Sequence, residues 1–196
     1  MILDDSFYQR SDVTKIAREL LGKCLFTRLH KKTTAGFIVE TEAYSRKERG
    51  CHAYQNKMTA RNEVMFKEGG HAYVYLCYGI HNLFNVVTNV EGEADAVLIR
   101  ALEPIEGIKE MMKRMQVKSE KRITSGPGKL TKAMAIDRNL NGKMLWTRQL
   151  WIEDIGNNYQ SNKIVRSERI GIDYAGQDAF LPWRFSVKDN LWVSKL

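Results

Sequence analysis

The pattern that most constrains the fold is a long succession of short apolar or alternating segments, with few helical stretches between them. Such segments, bounded by polar turns, are typical of β-strands. Strands and helices do not alternate regularly, so the βαβ units of a parallel sheet are disfavoured and an antiparallel or mixed α+β domain is predicted. The segments that predict strands are KCLFTRL, AGFIVETEAY, HAYVYLCYG, FNVVTN, DAVLIRALEP, LWIED, KIVRSERIGI, WRFSVK and LWVSK.

Three stretches have helical spacing instead. In SDVTKIARELLG the apolar residues fall on one face, and we expect Ser11 to cap the start and Gly22 to close the end. Pro104 is expected to stop the strand before it, after which apolar residues from Ile105 to Met115 recur at helical spacing. The third helix, KLTKAMAI, is short and follows the tight turn SGPGKL.

Length and composition indicate one domain without a membrane segment. The 196 residues suit a single domain over residues 1–196, and 43% of them are hydrophobic and 28% charged. No apolar run approaches the length of a transmembrane helix, and the acidic start MILDDSFYQR does not resemble a signal peptide, so we expect a cytoplasmic protein. The net charge of +8 favours polyanionic partners such as nucleic acid, an acidic membrane or phosphorylated ligands. No basic amphipathic helix marks a membrane binder.

The cysteines indicate neither disulfides nor a metal site. Cys24, Cys51 and Cys77 are scattered, odd in number and without a CxxC pair. Disulfide frameworks use even numbers, and zinc or iron–sulfur sites use closely spaced ligands. We therefore expect three buried or half-buried thiols and no bound metal.

The stretch GFIVETEAY places two carboxylates in an otherwise apolar strand. On a strand, Glu40 and Glu42 point to the same face, roughly 7 Å apart, and Tyr44 continues that face. A carboxylate beside an aromatic ring in a cleft could act as a general base. The plainer interpretation is a solvent-facing strand edge or ion pairs with nearby Lys and Arg, and from this stretch alone it is favoured.

Aromatic residues cluster in HAYVYLCYG. Tyr73 and Tyr75 share one strand face, and Tyr78 lies at the turn before Gly79. Aromatic stripes on strands are usually core, but three tyrosines so close to a turn leave at least one ring exposed. An exposed ring on a basic protein can stack on a base or wedge into a duplex.

Two polar segments carry residue types that contact phosphates. The loop CHAYQNKMTARN contains Lys57, Thr59 and Arg61, although a simple hydrophilic loop explains it equally well. The turn SGPGKL places Lys129 at a helix start, where backbone N–H groups favour anions. The spacing of a Walker A loop is absent.

Taken together, the ordered motifs resemble the alkyladenine DNA glycosylase family, also called 3-methyladenine or methylpurine DNA glycosylases. The similarity covers nearly the whole chain, from ARELLGKCL to the terminal WVSK. Its specific pieces are IVETEAY, TARNEVMF, YVYLCYG, VLIRALEP, SGPGKLTKAMAI and RIGIDYAG. The resemblance implies a single α+β domain with a curved, largely antiparallel, open-barrel-like sheet flanked by helices.

The resemblance also implies an activity. Family members flip a damaged nucleotide out of duplex DNA and hydrolyse its N-glycosidic bond. Glu42 matches the catalytic glutamate that deprotonates or orients the attacking water, and Arg100 matches the arginine that helps hold that water and the carboxylate. The backbone carbonyl of Ile170 matches the third water-holding position. No lysine takes the nucleophile's position, so a monofunctional enzyme without strand cleavage is expected.

Other motif positions match residues that bind the damaged base and the DNA. Tyr44, His52 and Tyr75 match the side chains that sandwich the flipped base. Tyr78 matches the tyrosine that inserts into the gap, and Asn85 matches the asparagine that disfavours the exocyclic amino group of guanine.

Three further positions, Lys57, Thr59 and Lys129, match contacts to the DNA backbone. The expected partner is double-stranded DNA with damaged bases, bound by a bacterial monomer at the nucleoid without a cofactor. The expected lesions are 3-methyladenine and 7-methylguanine, with hypoxanthine and etheno-adenine as further candidates. The chain departs from the family pattern by two extra residues near VEGEAD and by TARN in place of TPRN. Both differences concern loops near the pocket and the DNA backbone, so they bear on lesion preference more than on reaction type.

Two other classes of function remain open at this stage. A non-catalytic nucleic-acid-binding module would use the same basic and aromatic surface. A carbohydrate hydrolase would use Glu40 and Glu42 as an acid–base pair, since carboxylates roughly 6.5–9.5 Å apart suit inversion. A basic cleft and the lack of a Trp-rich sugar platform count against it.

Overall fold

The computed structural model describes residues 1–29 and 31–194, and all of its strands belong to one antiparallel sheet of eight strands. The hydrogen-bonded path runs β3-β4-β5-β2-β1-β6, while β8 pairs with β2 and β7 pairs with β8. The path leaves β3 and β6 at opposite ends, so the sheet is open, and the predicted α+β class is confirmed. The strands are β1 (Cys24–Leu29), β2 (Lys32–Tyr44), β3 (Ala72–Cys77), β4 (His81–Thr88), β5 (Asp95–Glu106), β6 (Leu150–Glu153), β7 (Ile164–Ser167) and β8 (Arg184–Val187).

The long strand β2 organises the sheet. One edge pairs with β5, and the other pairs with β1 near its start and with β8 at residues 40–42. Two register shifts interrupt the β2–β5 pairing beside Glu40, and they leave Val39 and Arg100 without a direct partner in that ladder. Bulges of this kind re-aim side chains next to functional sites. Here they bring Arg100 against the two glutamates of β2.

Helices flank the sheet, as predicted. Helix α2 packs against β2, where the Thr41 hydroxyl donates to the carbonyl of Ala17 over 2.8 Å. The main core lies between these layers, and a smaller apolar cluster around Met65 packs against Tyr44 and Tyr75. The α-helices are α1 (Asp5–Tyr8), α2 (Val13–Glu19), α3 (Ile108–Met115) and α4 (Pro127–Met134). Short 3₁₀ helices span Tyr54–Asn56, Glu63–Phe66, Arg138–Leu140, Ser161–Lys163 and Asp173–Phe180.

Two predicted helix boundaries were wrong. The cap of α2 is Asp12 rather than Ser11, because the Asp12 carboxylate accepts the backbone N–H of Lys15 over 2.9 Å. Strand β5 continues through Pro104 to Glu106, so Ile105 belongs to the strand. Pro104 is tolerated because the β2–β5 register shifts beside it.

Two predicted strands at the end of the chain also differ. Only Ile164–Ser167 of KIVRSERIGI pairs as a strand. Residues 191–194 of LWVSK form a turn, in which the Asn190 side chain accepts the N–H of Trp192, and Lys195 lies outside the described residues.

The cysteines of the chain are free thiols. Cys24 and Cys51 are buried and Cys77 is half-buried. Burial raises the pKa of the Cys24 and Cys51 thiols to about 12. In the described residues no helix is long and apolar enough to cross a membrane.

Candidate active site

A cavity of about 660 Å³ opens at the end of the sheet formed by β3, β4 and β5. Its walls combine aromatic rings with a few polar groups, the mixture typical of small-molecule and base pockets. It collects eight of the eleven site residues predicted from the sequence. They are Tyr44, His52, Tyr75, Tyr78, Asn85, Arg100, Lys129 and Ile170.

Glu42 lies immediately behind this wall and is fully buried. Its Oε1 accepts the backbone N–H of Ile170 over 2.8 Å and lies 3.2 Å from Nη1 of Arg100. Its Oε2 accepts the Tyr44 hydroxyl over 2.7 Å. These contacts engage both oxygens and hold the carboxylate in one orientation. The structure thus shows the N–H of Ile170 at the glutamate, while the predicted role of its carbonyl stays a prediction.

Arg100 bridges the two glutamates of β2. Its Nε donates to Oε1 of Glu40 over 2.9 Å, while its Nη1 faces Glu42. Burial works against the positive charge, but Glu42 and Glu40 outweigh it and raise the pKa of Arg100. Both glutamates are fully buried, so the solvent-facing interpretation of the strand was wrong, whereas the expected ion pairs are present.

Tyr44 lines the cavity and also donates a hydrogen bond to Glu42. Burial and the adjacent Glu42 charge hold the pKa of its phenol well above the usual value, so the hydroxyl remains a donor. On the ring itself, the guanidinium carbon of Arg169 lies 4.8 Å from the centroid. The hydroxyl contact was not predicted from the sequence, which indicated only a stacking role.

His52 and Tyr75 form a continuous aromatic wall. Their ring centroids are 4.6 Å apart in edge-to-face geometry, and Nδ1 of His52 lies 2.9 Å from the Tyr73 hydroxyl. Tyr73 in turn stacks on Tyr75 at 5.3 Å. His52 is exposed as a residue, but its ring packs against Tyr75, and this partial desolvation, with a smaller effect of Arg61, lowers the pKa of His52 to about 4, so its imidazole is neutral at neutral pH.

Asn85 is buried deeper in the cavity, on β4. It pairs with Tyr73 of β3 and Leu98 of β5, and its Nδ2 donates to the carbonyl of Tyr73 over 3.1 Å. Because β5 connects Leu98 to Glu42 of β2, the sheet places the amide and the carboxylate at one end of the cavity.

Tyr78 projects from the tip of the β3–β4 hairpin and is 86% exposed. The hairpin turns through Tyr78 and Gly79, both with positive φ (49° and 71°), and closes with the N–H of Ile80 on the carbonyl of Cys77 at 3.0 Å. A left-handed conformation is uncommon for tyrosine and is typical of the first central position of a tight hairpin turn. The turn therefore aims an apolar ring into solvent at the mouth of the cavity.

The three predicted DNA-backbone residues are exposed. Lys129, on α4, lines the cavity, while Lys57 and Thr59 lie outside its wall. The Thr59 hydroxyl donates to Oδ1 of Asn62 over 3.0 Å, so it is used to shape its own loop. Their contacts with the DNA backbone stay a prediction.

Comparison with known proteins gives the family. The family model described as methylpurine-DNA glycosylase (MPG) matches residues 6–191. The chain belongs to the methylpurine-DNA glycosylase family. It is 46% identical to a protein of Natranaerobius thermophilus over 99% of both chains, and 48% identical to one of Carboxydothermus hydrogenoformans over the full length of both. A protein of Methanocella arvoryzae is 49% identical over 99% of this chain and 96% of its own. Each of the three carries the name "Putative 3-methyladenine DNA glycosylase".

The family assignment confirms the DNA glycosylase expected from the sequence. The structure of this glycosylase adds an ion pair that the motifs did not indicate. Arg169 is buried and donates to both carboxylate oxygens of Glu48 over 2.7 and 2.9 Å, and also to the carbonyls of Ala43 and Asp178. This clamp immediately precedes Ile170, whose N–H holds Glu42. The only sequence signal was an arginine inside the RIGIDYAG motif, and its partners are distant in sequence.

Arg61 is the second residue of this glycosylase that local sequence did not place. It lines the cavity, and its guanidinium carbon lies 5.1 Å from the centroid of the Tyr75 ring. A cation at this position therefore faces the aromatic wall formed by His52 and Tyr75. The TARN motif pointed to this residue only as a general phosphate-contacting type.

Proposed function

We propose that this glycosylase flips alkylated purines out of duplex DNA and hydrolyses their N-glycosidic bond with a water activated by Glu42. One observation carries the proposal: a buried carboxylate, held by hydrogen bonds from the Ile170 N–H and the Tyr44 hydroxyl and by an ion pair with Arg100, lies directly behind an aromatic cavity. Because Glu42 is itself fully buried, the water must enter beside Arg100 and Ile170, the lining residues that contact Oε1.

The proposed step is a hydrolysis. The water oxygen bonds to C1′ of the flipped nucleotide while Glu42 takes a proton from the water. The bond between C1′ and the base breaks, and its electron pair leaves with the base. A 3- or 7-alkylated purine is already cationic, so it departs as a neutral base and an abasic site remains.

The cavity walls support recognition of such bases. Electron-rich rings attract a cationic base more than a neutral one. The imidazole of His52 adds no positive charge near neutral pH because its pKa is lowered to about 4, whereas the charge of Arg61, 5.1 Å from the Tyr75 centroid, acts against this attraction. Alkylated bases stack or pair poorly, so extruding them costs less than extruding a normal base. Asn85 at the inner end of the cavity would disfavour the exocyclic amino group of guanine.

The outer surface supports a duplex partner. Tyr78 would fill the gap left by the flipped nucleotide, and Lys57, Thr59 and Lys129 would contact the phosphates beside it. The net charge of +8 favours this encounter. We propose that the protein acts on cytoplasmic DNA as a monomer.

The surroundings of Glu40 count against the carbohydrate hydrolase alternative. A general acid needs a raised pKa. Burial acts in that direction, but Arg100, the Ser194 N–H and Arg184 outweigh it and lower the pKa of Glu40. The two carboxylates share one arginine instead of facing each other across an open cleft.

Base release from methylated duplex DNA tests the proposed function. Incubation with the protein should release 3-methyladenine and 7-methylguanine and leave abasic, unbroken strands. Release no faster than in protein-free DNA would contradict the proposal, and strand cleavage by the protein would contradict the monofunctional mechanism.

A further inference from the structure

Glu40 is the carboxylate of the ETEAY stretch that the proposed reaction leaves without a role. It is fully buried, yet both oxygens are occupied. Oε1 accepts from Arg100 (2.9 Å), Arg184 (2.7 Å) and the Ser194 hydroxyl (2.8 Å), and Oε2 accepts the Ser194 N–H over 2.7 Å. Four donors from three residues far from Glu40 in sequence fill the acceptor positions of the carboxylate and fix its orientation.

These contacts connect Glu40 to Glu42 through a single guanidinium. Arg100 donates to Glu40 through Nε and faces Glu42 through Nη1. The register shifts between β2 and β5 lie beside Glu40, and they direct the Arg100 side chain toward both carboxylates. The charge of Arg100 is therefore divided between the two glutamates, and Arg184 supplies Glu40 with a second cation.

We propose that Glu40 is a positioning residue that orients Arg100 and, by sharing its charge, keeps Glu42 basic enough to accept a proton from water. The inference rests on the proposed role of Glu42. Without Glu40, the charge of Arg100 is balanced by Glu42 alone, and a neighbouring negative charge disappears. Both changes favour the ionised form of Glu42, and a base that holds its charge too strongly removes a proton from water less readily.

Arg184 should have the opposite effect on Glu42. Arg184 lies directly opposite Glu42 in the β2–β8 pairing and donates to Glu40. Without Arg184, Glu40 draws more of the charge of Arg100, and a cation near Glu42 is lost. The groups that face Glu42 are Glu40 and Tyr44 on β2, Arg100 on β5, Arg184 on β8, and Arg169 with its partner Glu48.

The test is the pH dependence of single-turnover release of 7-methylguanine, with spontaneous release subtracted, for wild type, Glu40→Gln and Arg184→Gln. In Glu40→Gln the acidic limb should move to lower pH by roughly one unit, with a plateau rate about tenfold lower. In Arg184→Gln it should move to higher pH. The control is Asp95→Asn, which removes a buried, arginine-paired carboxylate that does not contact Arg100; it should leave the acidic limb in place.

Each outcome decides the inference. An unmoved acidic limb in Glu40→Gln, or movement equal to that of Asp95→Asn, overturns it while leaving the proposed function intact. If Glu40→Gln does not fold, the direction of the shift in Arg184→Gln decides alone, and an unmoved or lowered limb overturns the inference. Absence of release by the wild type removes the proposed function and the inference with it.

Discussion

The hydroxyl of Tyr44 donates a 2.7 Å hydrogen bond to Oε2 of Glu42, two residues earlier on the same strand. This contact joins the wall of the base cavity to the carboxylate behind it. Because burial and the Glu42 charge raise the pKa of Tyr44 well above its usual value, the donor persists across the working pH range. Under the proposed function Tyr44 has two separable roles, a ring for the base and a hydroxyl for the carboxylate.

Substitution Tyr44→Phe should separate the role of the ring from the role of the hydroxyl. The ring remains, so affinity for a lesion duplex should stay close to wild type. The lost hydrogen bond to a charged group should reduce the single-turnover rate of base release roughly ten- to a hundredfold. The measurement compares rate with duplex affinity, and an unchanged rate would show that the hydroxyl does not support Glu42.

His52 should make stability pH-dependent in the acidic range. Its pKa is about 4 in the folded protein and 6.5 in the unfolded chain, so between these values the unfolded chain binds more protons. The free energy of unfolding should therefore fall as the pH is lowered through this window. Denaturant titrations of wild type and His52→Gln should show a weaker pH dependence in the variant, and identical slopes would contradict the low pKa.

Tyr78 should contribute to binding rather than to stability. Its ring is 86% exposed, so Tyr78→Ala should leave the unfolding midpoint nearly unchanged. Loss of the stacking contact should weaken binding to a lesion duplex roughly tenfold. Phe180→Ala, which removes a ring that is 62% exposed outside the cavity, is the matched control. Equal affinities of Tyr78→Ala and wild type would contradict insertion of the Tyr78 ring into the duplex.

Lys129 should contribute to the salt dependence of DNA binding. If it neutralises one phosphate, Lys129→Ala should lower the slope of log affinity against log salt by about one. Lys15, on helix α2, provides the control because α2 packs on the face of β2 that carries Thr41, opposite to Glu42. A slope shared by wild type and Lys129→Ala would place Lys129 outside the DNA footprint.

The fold class could be predicted because periodicity and turn residues are local signals. Most strand segments were found in this way. The predicted strand end at Pro104 was wrong because the effect of this proline depends on a register shift set by the partner strand. The terminal LWVSK has the apolar character of a strand, yet residues 191–194 form a turn fixed in part by the Asn190 side chain. Local pattern does not report which segment finds a pairing partner.

The site was predictable only in part for a related reason. Alternation placed Glu40, Glu42 and Tyr44 on one face, but the partners that bury them come from residues far along the chain. Arg100, Ile170 and Ser194 reach the two glutamates across separations of 60, 128 and 154 residues. Motif resemblance identified Arg100 and Ile170, whereas the tertiary contacts of Ser194 and Arg169 required the structure.

The role of Glu42 in activating water is tested best by Glu42→Gln, which keeps the shape of the side chain and removes its charge. Release of 3-methyladenine or 7-methylguanine from alkylated duplex DNA should fall by about two to four orders of magnitude. Affinity for the same duplex should remain close to wild type, because the cavity wall and Tyr78 are unaltered. Asp95→Asn controls for the loss of a buried carboxylate. Turnover by Glu42→Gln at the wild-type rate would contradict the assignment of Glu42 as the group that activates water.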